Sequence, residues 1–160
     1  WFKTDADATK TRAYVISSSD NGVTWDDPAD VTDQVILPGY FSSGFGPGSG
    51  IQISCGRRAG RLILPSRQYN GSASKGFAIY SDDHGATWKV SSEVLAGESQ
   101  IAECGEDRLT VNIRRSADRY SSFSKDGGQT WTAAAKDGGL PSFESGCHAS
   151  VCSGGGNMAL

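Results

Sequence analysis

Glu98 and Arg114 are of residue types that could do chemistry, and their spacing allows them to meet on one hairpin. A glutamate can draw off the proton of a reacting hydroxyl. A guanidinium holds a carboxylate in a planar, bidentate fork that lysine cannot copy. Strands near Gln100–Cys104 and Leu109–Arg114 flank Gly105-Glu106-Asp107, a turn midway between the pair. With a three-residue loop Cys104 faces Arg108, and Glu98 lies directly opposite Arg114, so both project to one face. A two-residue loop slips the register by one, and the two side chains diverge. Asp107 tolerates the left-handed conformation that the longer loop usually needs. The same two residues also suit an ordinary cross-strand ion pair, worth about 0.2–1 kcal/mol.

The elements that must position this pair announce themselves as a repeat. Ser18-Ser19-Asp20-Asn21-Gly22-Val23-Thr24-Trp25 has the form S-x-D-x-G-x-T-W, and it returns at residues 81–88 and 124–131. A short polar side chain can hydrogen-bond the backbone just ahead and hold a tight turn. Glycine supplies the positive φ such a turn often demands, and the Trp then buries an aromatic face. Each copy follows a β-prone run: Ala13–Ile16, Phe77–Tyr80 and Tyr120–Phe123. Each therefore predicts the turn of a β-hairpin. Calcium binding fits poorly, because a calcium loop needs further oxygen ligands at regular offsets. His84, inside the second copy, is expected to be an exposed turn residue. Further strands are expected near Ile51–Cys55, Arg61–Ser66 and Arg119–Phe123, with an opening strand around Ala149–Cys152.

Bulk properties narrow the classes. The 160 residues suffice for a sizeable core, and 37% hydrophobic with 21% charged residues is ordinary for a globular chain. Fifteen basic against eighteen acidic residues give a net charge of -3 with no long like-charge block, which argues against a nucleic-acid surface. No apolar run is long enough to span a membrane as a helix. Cys55, Cys104, Cys147 and Cys152 form no CxxC pair, so no structural zinc is expected; no other metal and no cofactor is expected either. They suit either two disulfides or buried free thiols. Asn70-Gly71-Ser72 matches a glycosylation acceptor. No leader-like segment precedes Trp1, and the chain is expected to be cut from something longer.

The repeated octads are Asp-boxes, and the chain resembles the sialidase (neuraminidase) family that carries them. Two further passages carry the resemblance. One is Gly46-Pro47-Gly48-Ser49-Gly50-Ile51-Gln52 followed by Gly60-Arg61-Leu62-Ile63-Leu64-Pro65; the other is Glu98-Ser99-Gln100-Ile101-Ala102-Glu103 followed by Arg108–Arg114. The resemblance implies an all-β fold, a β-propeller of four-stranded antiparallel blades. Residues 1–160 would form one partial propeller domain holding about two and a half of six blades. It implies that Glu98 partners a catalytic tyrosine and that Arg114 belongs to an arginine triad binding the sugar carboxylate. A carboxylate nucleophile would be repelled by that carboxylate, and sialidases use tyrosine instead. Gln52, Arg67 and Tyr69 are softer candidates for lining the sugar pocket, Glu103 is expected to be structural, and Arg115 to face solvent.

The family's acid Asp and first triad arginine would lie upstream, and its third arginine and tyrosine nucleophile downstream. Tyr14, Tyr40, Tyr69, Tyr80 and Tyr120 are not at the nucleophile's motif. Cys147-His148-Ala149-Ser150-Val151 resembles the entry to a following blade. The segment alone is therefore expected to be inactive, with the missing blades coming from the same parent chain or another chain. The implied substrates are sialylated glycoproteins, glycolipids or oligosaccharides, and the implied location is extracellular or lysosomal. The alternatives are a trans-sialidase, a non-catalytic Asp-box propeller that binds sialoglycans, and a receptor-type propeller presenting protein-binding loops.

Overall fold

Ile63, Ala78 and Tyr80 pack into one apolar cluster, while their sequence neighbours Leu64 and Ile79 pack into another. Side chains alternate across a strand, so this sheet is covered on both faces. That is how stacked blades bury themselves. The computed structural model describes residues 11–140, 150–154 and 157–159. In chain order the elements are β1 Tyr14–Val15, β2 Ala29–Asp30, α1 Thr32–Val35, β3 Ser42–Phe45, β4 Ile51–Gln52, β5 Leu62–Tyr69 and β6 Ser74–Ser81. They continue with β7 Lys89–Val90, β8 Glu98–Gly105, β9 Arg108–Arg115, β10 Asp118–Ser124, β11 Ala135–Lys136, β12 Cys152–Gly154 and β13 Asn157–Ala159.

Two sheets dominate. In one the order is β3-β5-β6-β7, with β4 also pairing β5; in the other it is β11-β10-β9-β8. Every pairing within them is antiparallel. Ile53, Ile63, Ala78 and Tyr80 of the first sheet meet Ile101, Leu109, Val111 and Ile113 of the second in a shared core. The other face of the first sheet packs on Ala13, Val31, Val35 and Ile36. β1 pairs β2 and β12 pairs β13. The last hairpin starts at Cys152, three residues later than the expected Ala149, which lies outside the described residues.

Of the expected strand at Ile51–Cys55 only Ile51–Gln52 forms. The inner strand of the first sheet is split into β3 and β4, both of which pair with β5. Gly46–Gly50 loops out between them and lies along β8: Pro47 bridges Ser99 in parallel, and the Gln100 amide donates to the Ser49 carbonyl at 3.1 Å.

All three Asp-boxes are hairpin turns, joining β1 to β2, β6 to β7 and β10 to β11. The same bonds recur in each. The Ser hydroxyl donates to the Asp carboxylate at 2.8 Å and accepts from the Gly N–H at 2.8 Å. The carboxylate also accepts from the Thr N–H and the Thr hydroxyl. The Gly takes φ of 85°, 92° and 85°, and His84 is an exposed turn residue. Trp88 and Trp131 pack on the cores as expected, but Trp25 is 59% exposed. Trp88 and Trp131 each lie against a core shared with the preceding part of the chain, and no sheet precedes β1 among the described residues.

Arg61 ties the box ends of the two sheets together. Its buried guanidinium forks onto Asp82 at 2.7 and 3.0 Å, donates to the Gly127 carbonyl at 2.8 Å, and lies 4.2 Å over the Tyr80 ring. Replacing it by Met strands a carboxylate and a carbonyl. Because Asp82 is 39% exposed, the expected loss is about 2–3 kcal/mol, below that of a wholly buried pair, read from urea unfolding. The box carboxylates also set an acid limit. Hydrogen bonds from the Thr hydroxyl, the Thr N–H and the Ser hydroxyl hold Asp20 and Asp83 at about 2. Depressed carboxylates stabilise the fold above their unfolded value and lose that contribution as pH falls through the folded value. Stability should therefore fall between pH 3.8 and about 2. Asp20→Asn combined with Asp83→Asn should flatten that limb in unfolding midpoints followed by tryptophan fluorescence.

Candidate active site

β8 and β9 place Glu98 directly opposite Arg114, and the Arg114 Nη1 donates to the Glu98 Oε2 at 2.8 Å. The route to that register is not the three-residue loop. Gly105 pairs with Arg108, leaving a two-residue turn, Glu106-Asp107, and a β-bulge between Glu103 and Gly105. Cys104 is the extra residue, and it restores the register that the short turn would lose. Asp107 takes φ 53°, the left-handed conformation expected of it.

The turn and bulge are anchored to the preceding sheet by two carboxylates. Asp107 accepts from the Arg57 and Arg58 N–H groups at 3.0 and 2.7 Å. Glu103 accepts from the Ser54 N–H, the Ser54 hydroxyl and the Cys55 N–H at 2.9, 2.7 and 3.1 Å. Burial pushes the Glu103 carboxyl up, but the bonds from Ser54 and Cys55 outweigh it and leave it below the usual range. Cys55 carries a free thiol, which donates to the same carboxylate at 3.2 Å. That bond, with burial, pushes the thiol up and away from the reactive thiolate.

The pair sits at the end of the sheet away from the Asp-boxes. β10 runs from Arg119, opposite Arg114, to Ser124, where the box begins. Arg67 and Tyr69 lie at the corresponding end of the first sheet and share a shallow groove with Ser42, Ser43, Gly44 and Ser74. That groove includes neither Glu98 nor Arg114. Gln52 is placed at the other end. It pairs with Leu62, beside the start of the second box, and its amide donates to the Gly60 carbonyl at 3.3 Å. The sequence pattern alone could not show which end of a split strand carries it.

Both members of the pair are half-buried, with side chains 28% and 32% exposed, and Arg115 is exposed. The Arg114 Nε is buried with no hydrogen-bond partner among the described residues. Arg119, directly across from Arg114, is buried and puts a second arginine in the same cross-strand row. Only strand pairing reveals it. Tyr80 lies under Arg61 and Tyr40 packs edge-on against Phe77, so both are engaged in packing.

The BNR repeat-like domain family matches residues 1–160. The chain belongs to the sialidase family with BNR, or Asp-box, repeats. It is 35% identical over 142 residues to a sialidase of Micromonospora viridifaciens, covering 85% of this chain and 22% of that protein. It is 35% identical over 140 residues to an anhydrosialidase of Macrobdella decora, covering 84% and 18%. The solved intramolecular trans-sialidase from Ruminococcus gnavus superposes with a TM-score of 0.74 at 31% identity, covering 89% of this chain and 30% of that one. The fold is thus part of a sialidase-type β-propeller, and the chain spans about a fifth of the two curated relatives. No helix among the described residues is long and apolar enough to cross a membrane.

Partly exposed ion pairs add little stability. A double-mutant cycle of Glu98→Gln and Arg114→Gln should return a coupling of about 1 kcal/mol or less, weakening with added salt. A much larger coupling in urea unfolding would make the pair a structural clasp.

Proposed function

We propose that the full-length protein is an exo-α-sialidase that cleaves terminal sialic acid with retention of configuration. The observation that carries this reading is Glu98 and Arg114 standing opposite each other at one end of β8 and β9, 2.8 Å apart. In this role Arg114 turns its guanidinium to the carboxylate of the sugar. Glu98 takes the phenolic proton of a tyrosine supplied from outside this chain as the phenol oxygen attacks the anomeric carbon, and the glycosidic oxygen leaves with a proton from the acid Asp, also supplied from outside this chain. Water then releases the sugar from the tyrosine. The substrates are sialylated glycoproteins, glycolipids or oligosaccharides, met outside the cell or in the lysosome. Arg67 and Tyr69, at the same end of the neighbouring sheet, extend the contact surface.

A second reading has its own support. The likeness to an intramolecular trans-sialidase and an anhydrosialidase favours transfer of the sugar onto one of its own hydroxyls in place of water. Product analysis decides between free sialic acid and its intramolecular anhydride. On a fluorogenic sialoside, Glu98→Gln should lower kcat by about 10²–10⁴-fold, the range for loss of a proton-transfer catalyst. Arg114→Lys should mainly raise KM. Unchanged turnover in Glu98→Gln removes that residue from the mechanism.

A further inference from the structure

Glu98 stands on an edge strand, because β8 ends its sheet. One side of it is fixed by β9. The other side is free to shift unless something covers it, since an unpaired edge has no ladder to hold it. β12 lies against β8, and at Ser99 and Gln100 the free edge is covered by the loop that splits the inner strand of the preceding sheet. Pro47 bridges Ser99, the residue next to Glu98. The buried Gln100 amide donates to the Ser49 carbonyl at 3.1 Å and to its hydroxyl at 3.4 Å. Gly48 lies so close that a Cβ there would stand 1.9 Å from the Gln100 Oε1 and 3.0 Å from the Ser99 carbonyl oxygen. A side chain at Gly48 fits only if the Gln100 side chain gives way, because the two occupy the same space.

We propose that Gln100 and Gly48 act as a positioning clamp that locks the edge of β8 and thereby aims Glu98 at the reaction. The inference rests on Glu98 serving as the base proposed above. Gln100 and Asn112 face each other two residues along from Glu98 and Arg114, so the clamp grips the same two-strand unit that carries the pair. A displacement of about 1 Å in a catalytic group can cost on the order of a hundredfold in rate, so a clamp on the adjacent peptide acts on turnover more than on affinity.

The test uses the full-length protein with Gln100→Met, which keeps volume but cannot donate, Gly48→Ala, Gln100→Ala and the Gly48→Ala/Gln100→Ala pair. Gln100→Met should lower kcat about ten- to hundredfold with KM within about twofold, and shift the acidic limb of the pH–rate profile, because the base is misplaced. Gly48→Ala should cost far less in the Gln100→Ala background than alone, since the shorter side chain vacates the space. A lowered urea midpoint with an unmoved pH profile and unmoved kcat would make the contact merely structural and overturn the proposal. A folded Gln100→Met with wild-type kcat does the same, even where Gly48→Ala fails to fold. If Glu98→Gln itself retains activity, the underlying reading fails instead.

Discussion

The register between β8 and β9 is the constraint on which everything else rests. Side chains alternate along a strand, so one residue of slippage would set Glu98 opposite Arg115 and turn Arg114 to the other face. The two-residue turn Glu106-Asp107 would impose that slippage, and the bulge at Cys104 cancels it. Neither feature stands alone. Asp107 reaches the N–H groups of Arg57 and Arg58, and Glu103 those of Ser54 and Cys55, so the turn and the residue before the bulge are both held by the preceding sheet. Backbone N–H groups that strand pairing leaves open find carboxylate partners, and the same bonds fix the register.

The stack of sheets distributes its work between two ends. At one end sit the Asp-boxes, the Arg61 fork and the carboxylate anchors. They close hairpins and bind one sheet to the next. At the other end sit Glu98, Arg114, Arg119, Arg67 and Tyr69. The apolar core between the two sheets joins these ends, so side chains at the second end are presented on strands that are tied together at the first.

Much of this was legible in the sequence wherever the physics is local. An Asp-box makes nearly all of its bonds within eight residues, so its Ser, Asp, Gly and Thr declare the turn by themselves. The pairing of Glu98 with Arg114 was legible in outline because both lie on one hairpin, and Asp107 carried the turn's conformation in its residue type. The bulge was not legible: nothing about Cys104 distinguishes it from a paired residue. The Glu103 and Asp107 anchors reach backbone groups about fifty positions away, where no periodicity connects donor to acceptor. The split of the inner strand was hidden for the same reason. Gly46–Gly50 resembles a plain turn until β8 is placed beside it, and only then is Gln52 seen at the box end of the split strand, away from Glu98 and Arg114.

Arg114 and Glu98 are proposed to face one anionic sugar. The most direct test of this is a crystal structure of the full-length protein with a planar, unsaturated sialic acid analogue bound. The analogue's carboxylate should lie on the Arg114 guanidinium at hydrogen-bonding distance, with the Glu98 carboxylate released from its ion pair toward a tyrosine near the anomeric carbon. An analogue bound elsewhere, with the Glu98–Arg114 pair still closed and remote from it, would contradict this arrangement.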